Sequence, residues 1–402
     1  MDKKLYYILL IILFSCSKQN NQQELSLNGE YYTIDLDANK ESSLPLSSLF
    51  KNVRTIILET NEDSFIGEVN NLQVFDGYIY IFDSDKAKNL FVFDLEGKFI
   101  RKIGRLGNGP GEYTKITDFT LDTDNRIIYL RNQDNRVHKY NLDGTYIHTI
   151  TIQAPNSHAF FIQYYNGKLY SNYLGWQQSQ DDYMLLQIDP ADGKILFSSL
   201  PLEHNKGWNE PFFYGHNPYF MSRMNNPPRY NQMFMNFIVS IGDEITPYIE
   251  LKSKNLTTEE DIESFRGEGA IRVNSRNVLN SKKIFNVNCF IENNDYLCFR
   301  CGLNPLYSFV VLLYKETGDV KLANYLSNDL IFKKDEKGTL GRFLFSDEKG
   351  AYEILNTQSL SVFDDFQASM KNDEIVPDLN KLDQLIKLNA NSNPVIFFYE
   401  YK

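Results

Sequence analysis

The chain is poor in the patterns that announce chemistry. Its five histidines, His138, His148, His158, His204 and His216, are scattered. No His-x-His or His-Glu-x-x-His spacing gathers them into a metal site. No Gly-x-Ser-x-Gly elbow proposes a Ser-His-Asp triad. Lysine and arginine form no run, and with a net charge of −11 and a pI near 5.1 nucleic acid and anionic surfaces are disfavoured as partners. The one apolar run near the start, residues 5–14, is too short to span a bilayer. Tryptophan occurs twice, as Trp176 and Trp208.

Cysteine is nearly as scarce. Beyond Cys16 there are Cys289, Cys298 and Cys301. Cys298-Phe-Arg-Cys301 has neither a second cysteine pair nor a nearby His to complete a metal or redox site. The stretches around Cys289 and Cys298 read as a hairpin about Asn293-Asn294. A two-residue turn would pair position 292 with 295 and set Cys289 opposite Cys298, close enough for a cross-strand disulfide. Two packed thiols are the other reading, since one extra residue in the turn destroys that register.

What the chain does have is a repeat. Asp76-Gly-Tyr-Ile-Tyr-Ile-Phe-Asp83 and Leu90-Phe-Val-Phe-Asp-Leu-Glu-Gly97 return as Arg126-Ile-Ile-Tyr-Leu130 and Lys139-Tyr-Asn-Leu-Asp-Gly144. Gly97 and Gly144 stand 47 residues apart, and Gly144 and Gly193 stand 49 apart. A period in the forties with several short strands per unit is the signature of a propeller blade. The 26 Tyr and 29 Phe suit pleated, half-buried surfaces. Successive blades are expected over 67–103, 116–152, 159–200, a disturbed fourth unit reaching 251, 284–326, and a sixth from 341 to the end. Insertions fall near 202–232, 253–282 and 356–392. The second should open with a capping box at Thr257-x-x-Glu260. The third should hold a helix over 379–388, capped by Asp378. The last blade is one strand short and the N-terminus one strand long, so residues 53–59 are expected to pair beside 395–401. That pairing would close the ring and remove two aggregation-prone edges.

Residues 1–16 read as a signal peptide ending at Leu13-Phe-Ser-Cys16, which resembles a bacterial lipobox with Cys16 as the lipidated residue. Polar residues 17–30 follow as a flexible tether, and 31–402 as a single propeller domain. Phe93-Asp-Leu-Glu-Gly-Lys-Phe-Ile-Arg-Lys-Ile-Gly-Arg-Leu-Gly-Asn-Gly-Pro-Gly-Glu-Tyr113 resembles the NHL-type repeat. More closely, it is similar to the six-bladed β-propeller lipoproteins of Gram-negative bacteria, as is the ending Asn393-Pro-Val-Ile-Phe-Phe-Tyr-Glu-Tyr401. The resemblance and the strand tally together imply an all-β, six-bladed propeller with short helical insertions, seven blades being the other count. The resemblance also implies an outer-membrane lipoprotein whose partners are the membrane, through its anchor, and an envelope ligand or protein. No cofactor is expected. Ser17 after the cysteine implies the outer membrane by the same analogy.

Two segments are candidates for binding. Gly104-Arg-Leu-Gly-Asn-Gly-Pro-Gly-Glu112 could cradle an anion on its N–H groups. A tight connection needing positive φ at several positions accounts for it better, and no helix follows to make it a phosphate loop. The segment 173–230 holds both tryptophans with Tyr214, His216, Arg223, Arg229 and Tyr230. Flat aromatic faces stack on sugars or peptides and Arg adds planar donors, although such rings also pack an insertion onto its blade. The expected function is a non-enzymatic ligand-binding or assembly module taking a glycan or peptide over the propeller channel. The alternative is a metal-dependent lyase or hydrolase like the NHL-type amidating lyases, which hold zinc with histidines from different blades.

Overall fold

The computed structural model describes residues 22–23, 30–154, 161–172, 183–201, 220–221, 227–266, 271–304, 307–334, 342–377 and 379–402. They form a six-bladed β-propeller. Blade 1 is Asn71–Phe75, Tyr78–Asp83, Asn89–Asp94 and Phe99–Ile103, in spatial order from the axis outward. Blade 2 is Ile116–Asp122, Ile127–Asn132, Arg136–Asn141 and Tyr146–Thr151. Blade 3 is Ile162–Tyr165, Lys168–Asn172, Tyr183–Ile188 and Ile195–Pro201. Blade 4 starts with two strands of two residues, Phe220–Met221 and Arg229–Tyr230, before Phe237–Ile241 and Ile245–Lys252. Blade 5 is Asn286–Glu292, Tyr296–Asn304, Tyr307–Tyr314 and Val320–Ser327. Blade 6 contributes Arg342–Ser346, Gly350–Leu355 and Val395–Tyr401.

The missing outer strand of blade 6 comes from the other end of the chain. The N-terminal segment supplies β1 (Gln22–Gln23), β2 (Tyr32–Asp35), β3 (Lys40–Pro45) and β4 (Phe50–Ile57). β4 pairs antiparallel with the last strand, Val395 opposite Ile57 and Glu400 opposite Asn52. The ring therefore closes as expected, with β4 starting three residues earlier than the sequence suggested. β1, β2 and β3 add parallel fifth strands to the outer edges of blades 3, 4 and 5. The segment is a strap that passes along four successive blades before the chain enters blade 1.

There is no single central core. Each of the six seams has its own apolar cluster. Tyr80 and Phe82 of one blade 1 strand pack toward blade 2, while Ile79 and Ile81 of the same strand pack toward blade 6. Both faces of a strand are buried, which is why it reads as a nearly continuous apolar run rather than an alternation.

Polar side chains then pin the seams. At the end of the second strand, Asp83 accepts from the Gly67 and Glu68 N–H groups, Asn132 from Lys115 and Asn172 from Phe161, at 2.8–2.9 Å. Each ties down the chain entering its blade. Between blades 6 and 1, buried Asn393 donates to the Glu59 and Ser64 carbonyls, both at 2.7 Å, and accepts from Ile66 N–H at 2.8 Å.

The inserted helices differ from expectation. α1 (Glu259–Phe265) is capped one residue later, by Thr258 and Asp261 in a capping box. α2 (Ile271–Asn280) follows it, and α3 (Leu360–Lys371) fills the blade 6 insertion, where Phe363 and Phe366 join the apolar seam between blades 5 and 6. The helix expected over 379–388 shrinks to α4 (Leu382–Leu385), and Asp378 lies outside the described residues. Asn380 spends its amide on the Thr55 backbone of β4, and Lys381 takes a left-handed conformation, so the chain cannot start a helix earlier.

The repeat glycines mark a close approach between blades. Gly97, Gly144 and Gly193 have φ of 91°, 90° and 81°, a region L-residues rarely adopt. A Cβ on Gly97 would run into the Ile57 carbonyl of β4, and one on Gly193 into the Thr151 carbonyl of blade 2. At Gly144 the nearest atom is the Ile103 methyl at 3.3 Å. All three alanine substitutions should lose about 1–2 kcal/mol to backbone strain, and Gly97→Ala and Gly193→Ala should lose more. Thermal melts that rank Gly144→Ala as the most damaging would contradict this account.

Candidate functional site

Four antiparallel strands reverse direction at every step. The connections from second to third strand, and from outer strand to the next inner strand, therefore emerge on one face of the ring. The strand ends at residues 172 and 183 of blade 3, and at 201 and 220 across the seam to blade 4, open on that face. These ends bracket 173–182 and 202–219, so Trp176, Trp208, Tyr214 and His216 lie outside the described residues while their attachment points share one face. Arg223 is also outside, and the strand ends flanking 222–226 open on the opposite face.

Arg229 and Tyr230 are described, and both are buried. Tyr230 donates to the Met184 carbonyl of blade 3 at 2.7 Å and sits within the seam between blades 3 and 4. Arg229 grips Glu292 of blade 5 with two hydrogen bonds of 3.0 Å each and donates to Ser240 Oγ at 2.6 Å. Its guanidinium stacks 3.5 Å from the Tyr248 ring. Glu292 also accepts from Tyr248 OH at 2.6 Å and Lys315 Nζ at 2.7 Å. Burial alone would raise the Glu292 carboxyl, but hydrogen bonding and charge from Arg229, then Lys315, hold it below the ordinary range. Sequence reading picked out Arg229 by type and missed Glu292, Tyr248 and Lys315, which stand in ordinary strand positions.

Beside this node lies an open groove of about 920 Å³, lined by Tyr31, Tyr32, Tyr248, Glu250, Lys252 and Lys315 among others. Its charges are largely engaged: Lys252 pairs with Glu250 at 3.1 Å and Lys315 with Glu292. Thr33 also donates to Glu250.

A second polar node joins the inner strands of blades 1 to 3. Asp118 accepts from Asn71 at 2.6 Å and from the Ile162 N–H at 3.0 Å, and it stands opposite Arg131 in the sheet. Burial pushes the Arg131 guanidinium down to about 10, against the pull of Asp118 and Asp134. Asn71 and Asp118 are 47 residues apart, the spacing of Gly97 and Gly144. That equivalence was the available signal.

The glycine-rich connection holds an anion already, namely its own. Glu112 accepts from Gly109 N–H at 2.8 Å and from Arg105 Nε at 2.7 Å, and the Gly109 bond followed by Arg105 lowers its pKa. Gly104, Gly107 and Gly111 all have positive φ, as a tight turn requires. His138 is buried on Thr149, His148 is exposed, and His158, His204 and His216 lie outside the described residues. No group of three or more His, Cys, Asp or Glu among the described residues is placed to hold a metal. Cys289, Cys298 and Cys301 are thiols. The hairpin turns one residue later than expected: Ile291 faces Cys298, Glu292 faces Leu297 and the Asn293 N–H donates to the Tyr296 carbonyl, while Asn293 Oδ1 accepts from the Asp295 and Tyr296 N–H groups. Cys289 falls in a bulge between Asn288 and Ile291 with a positive φ. Cys16 lies outside the described residues.

A family profile described as a domain of unknown function, DUF4934, matches residues 31–400. Among solved structures, a Bacteroides fragilis protein labelled as exported is 18% identical, with a TM-score of 0.72 over 93% of this chain and 100% of its own. A Bacteroides vulgatus member of the DUF4221 family is 11% identical, with a TM-score of 0.52 over 88% and 97%. At these identities the likeness concerns the fold. No curated protein matches.

Replacing Glu292 by Gln leaves Arg229 and Lys315 without their buried counter-charge and should cost about 3–5 kcal/mol. Because the folded pKa is depressed, the carboxylate's contribution is fully present above the unfolded value of about 4.3. It is lost as pH falls through the lower folded value. Glu292→Gln should therefore lose less stability than the wild type on acidification below about pH 4, by urea titration at each pH. Parallel acid limbs for the two proteins would remove this node from the account.

Proposed function

The chain belongs to the DUF4934 family, and from that premise we propose that it is an exported cell-envelope lipoprotein that binds a ligand without transforming it. Cys16 carries the lipid that tethers it to the outer membrane. The ligand is a glycan or an extended peptide held over the channel on the face where blades 3 and 4 meet. The observation that carries this reading is the position of the strand ends at residues 172, 183, 201 and 220. They root both arms of the most aromatic segment on one rim of a rigid ring, and loops on a rigid scaffold are where binding groups concentrate.

Trp176, Trp208, Tyr214 and His216 supply the stacking faces, with Arg223 as a further donor in this reading. Arg229 and Tyr230 act one layer below, holding blade 4 to its neighbours rather than meeting the ligand. The NHL-like repeat and the resemblance to a protein labelled as exported support the envelope setting. The net charge of −11 argues against nucleic acid. No helix of the described residues is long and apolar enough to cross a membrane.

Thermal shift with glycans, peptides and divalent metals in parallel tests the reading. A ligand at a hundredfold its Kd should stabilise the protein by about 2.7 kcal/mol. Trp208→Ala should abolish that shift and leave the ligand-free melting temperature in place. Loss of both together would mean that the ring packs the insertion, and a shift with zinc or calcium alone would favour the metal-dependent enzyme. Separately, Cys16→Ala should move the protein from the membrane to the soluble fraction and abolish labelling by palmitate.

A further inference from the structure

The strap has a direction as well as a path. Every outer strand runs toward the face that carries the candidate ligand loops, since there it hands the chain to the next inner strand. β1 pairs in parallel with the outer strand of blade 3, Gln22 opposite Ser198 and Gln23 opposite Ser199. Gln22 is therefore the end of β1 nearer the opposite face. Cys16 stands six positions before Gln22. Six residues span about 20 Å at full extension, so a group carried by Cys16 is held beside the outer edge of blade 3.

The outer strands differ in charge. Blade 1 presents Arg101 and Lys102, blade 4 Glu250 and Lys252, blade 5 Lys321, and blade 6, through β4, Lys51 and Arg54. Those of blades 2 and 3, Tyr-Ile-His-Thr-Ile-Thr and Ile-Leu-Phe-Ser-Ser-Leu-Pro, have no Lys, Arg, Asp or Glu. Each leaves a large apolar side chain in solvent near its start: Ile147 is 40% and Phe197 37% exposed. Both starts lie toward the face opposite the ligand loops. The other exposed apolar side chains, Phe65, Leu106, Val362 and Ile386, belong to connections and inserted helices.

We propose that the outer edge of blades 2 and 3, at the end away from the ligand loops, rests on a zwitterionic lipid surface and keeps the ligand face clear of the membrane. This rests on the reading of Cys16 as the acylated residue. A short tether holds the edge at the headgroup layer, where exposed apolar and aromatic side chains gain from burial and charged ones do not. The turns leading into the two strands bear Asp143, Asp189, Asp192 and Lys194. Arg101 lies near Asp143, and Lys139 near Asp122 and Asp189. Acids and bases nearly balance, so the edge offers no basic patch to anionic headgroups and the contact is apolar.

The test is hydrogen exchange of the full mature lipoprotein in phosphatidylcholine vesicles, after its intact mass has been read for acyl groups. The Cys16→Ala chain in solution is the reference. Exchange should slow about threefold at 146–149 and 194–198, at low and high salt alike, and stay unchanged at 168–172 and 183–185. Ile147→Asp combined with Phe197→Asp should remove the slowing and leave the acyl mass and the melting temperature in place. An insertion of about twenty Gly and Ser residues after Ser17 should weaken it by lengthening the reach. An unacylated mature chain would overturn the anchor and this contact together. With acyl groups present, slowing on the ligand face, on blades 4 to 6 or nowhere would overturn the contact alone, as would its loss in high salt or indifference to the two aspartates. Protection of the same segments in the Cys16→Ala chain, with a doubled mass, would give the edge to a second copy instead.

Discussion

The structure depends on one antiparallel ladder, the pairing of β4 with the last strand of the chain. A propeller has no central core to fall back on. Its apolar surface is divided into six seams, each needing both neighbours in place, and the seam between blades 6 and 1 exists only if the two ends of the chain meet. Ile56 and Ile396 lie side by side in that seam, and Phe50 stacks on Tyr401 at 5.4 Å. Without the ladder, two blade edges and two apolar faces would be open at once.

From that constraint follows the division of labour across the molecule. Polar side chains buried in the seams, such as Asp118, Glu292 and Asn393, are spent on fixing blades to one another. What varies without endangering the ring is the connections on its faces and the strands on its outer edges. The insertion between blades 3 and 4 uses the first freedom. The strap uses the second, and it stops short of blades 1 and 2 among the described residues. The ligand recognition proposed for the channel face would draw on these connections and leave the seams that hold the ring intact.

Much of this architecture was legible from residue order. The glycines at 97, 144 and 193 carry both a positive φ and a close approach to the preceding blade, so their spacing marked the blades directly. The closing strand was legible because β4 is rich in β-branched residues from Val53 to Ile57 and its partner is β-branched or aromatic except at Glu400. The strap's β1 and β3 were not: Gln22–Gln23 and Lys-Glu-Ser-Ser-Leu-Pro have no repeating apolar pattern, Leu44 alone enters the blade 5 and 6 seam, and parallel backbone ladders fix both strands. α3 was equally hidden, since Leu360–Lys371 shows its apolar face only against the blade 5 and 6 seam. At the candidate site, composition singled out Arg229 and Tyr230, but composition carries no information about direction. Whether an arginine meets solvent or a buried glutamate is decided by partners 63 positions away.

The ring closure can be tested by a covalent lock. Asn52 and Glu400 face each other across the closing ladder and share a hydrogen bond of 2.9 Å. Asn52→Cys combined with Glu400→Cys should form a disulfide within a monomer under mild oxidation. Closing so long a loop should raise stability by about 5 kcal/mol in the chain-entropy view, and reduction should abolish the gain. Failure of the two cysteines to join, or their joining only between chains, would contradict a propeller sealed at this strand pair.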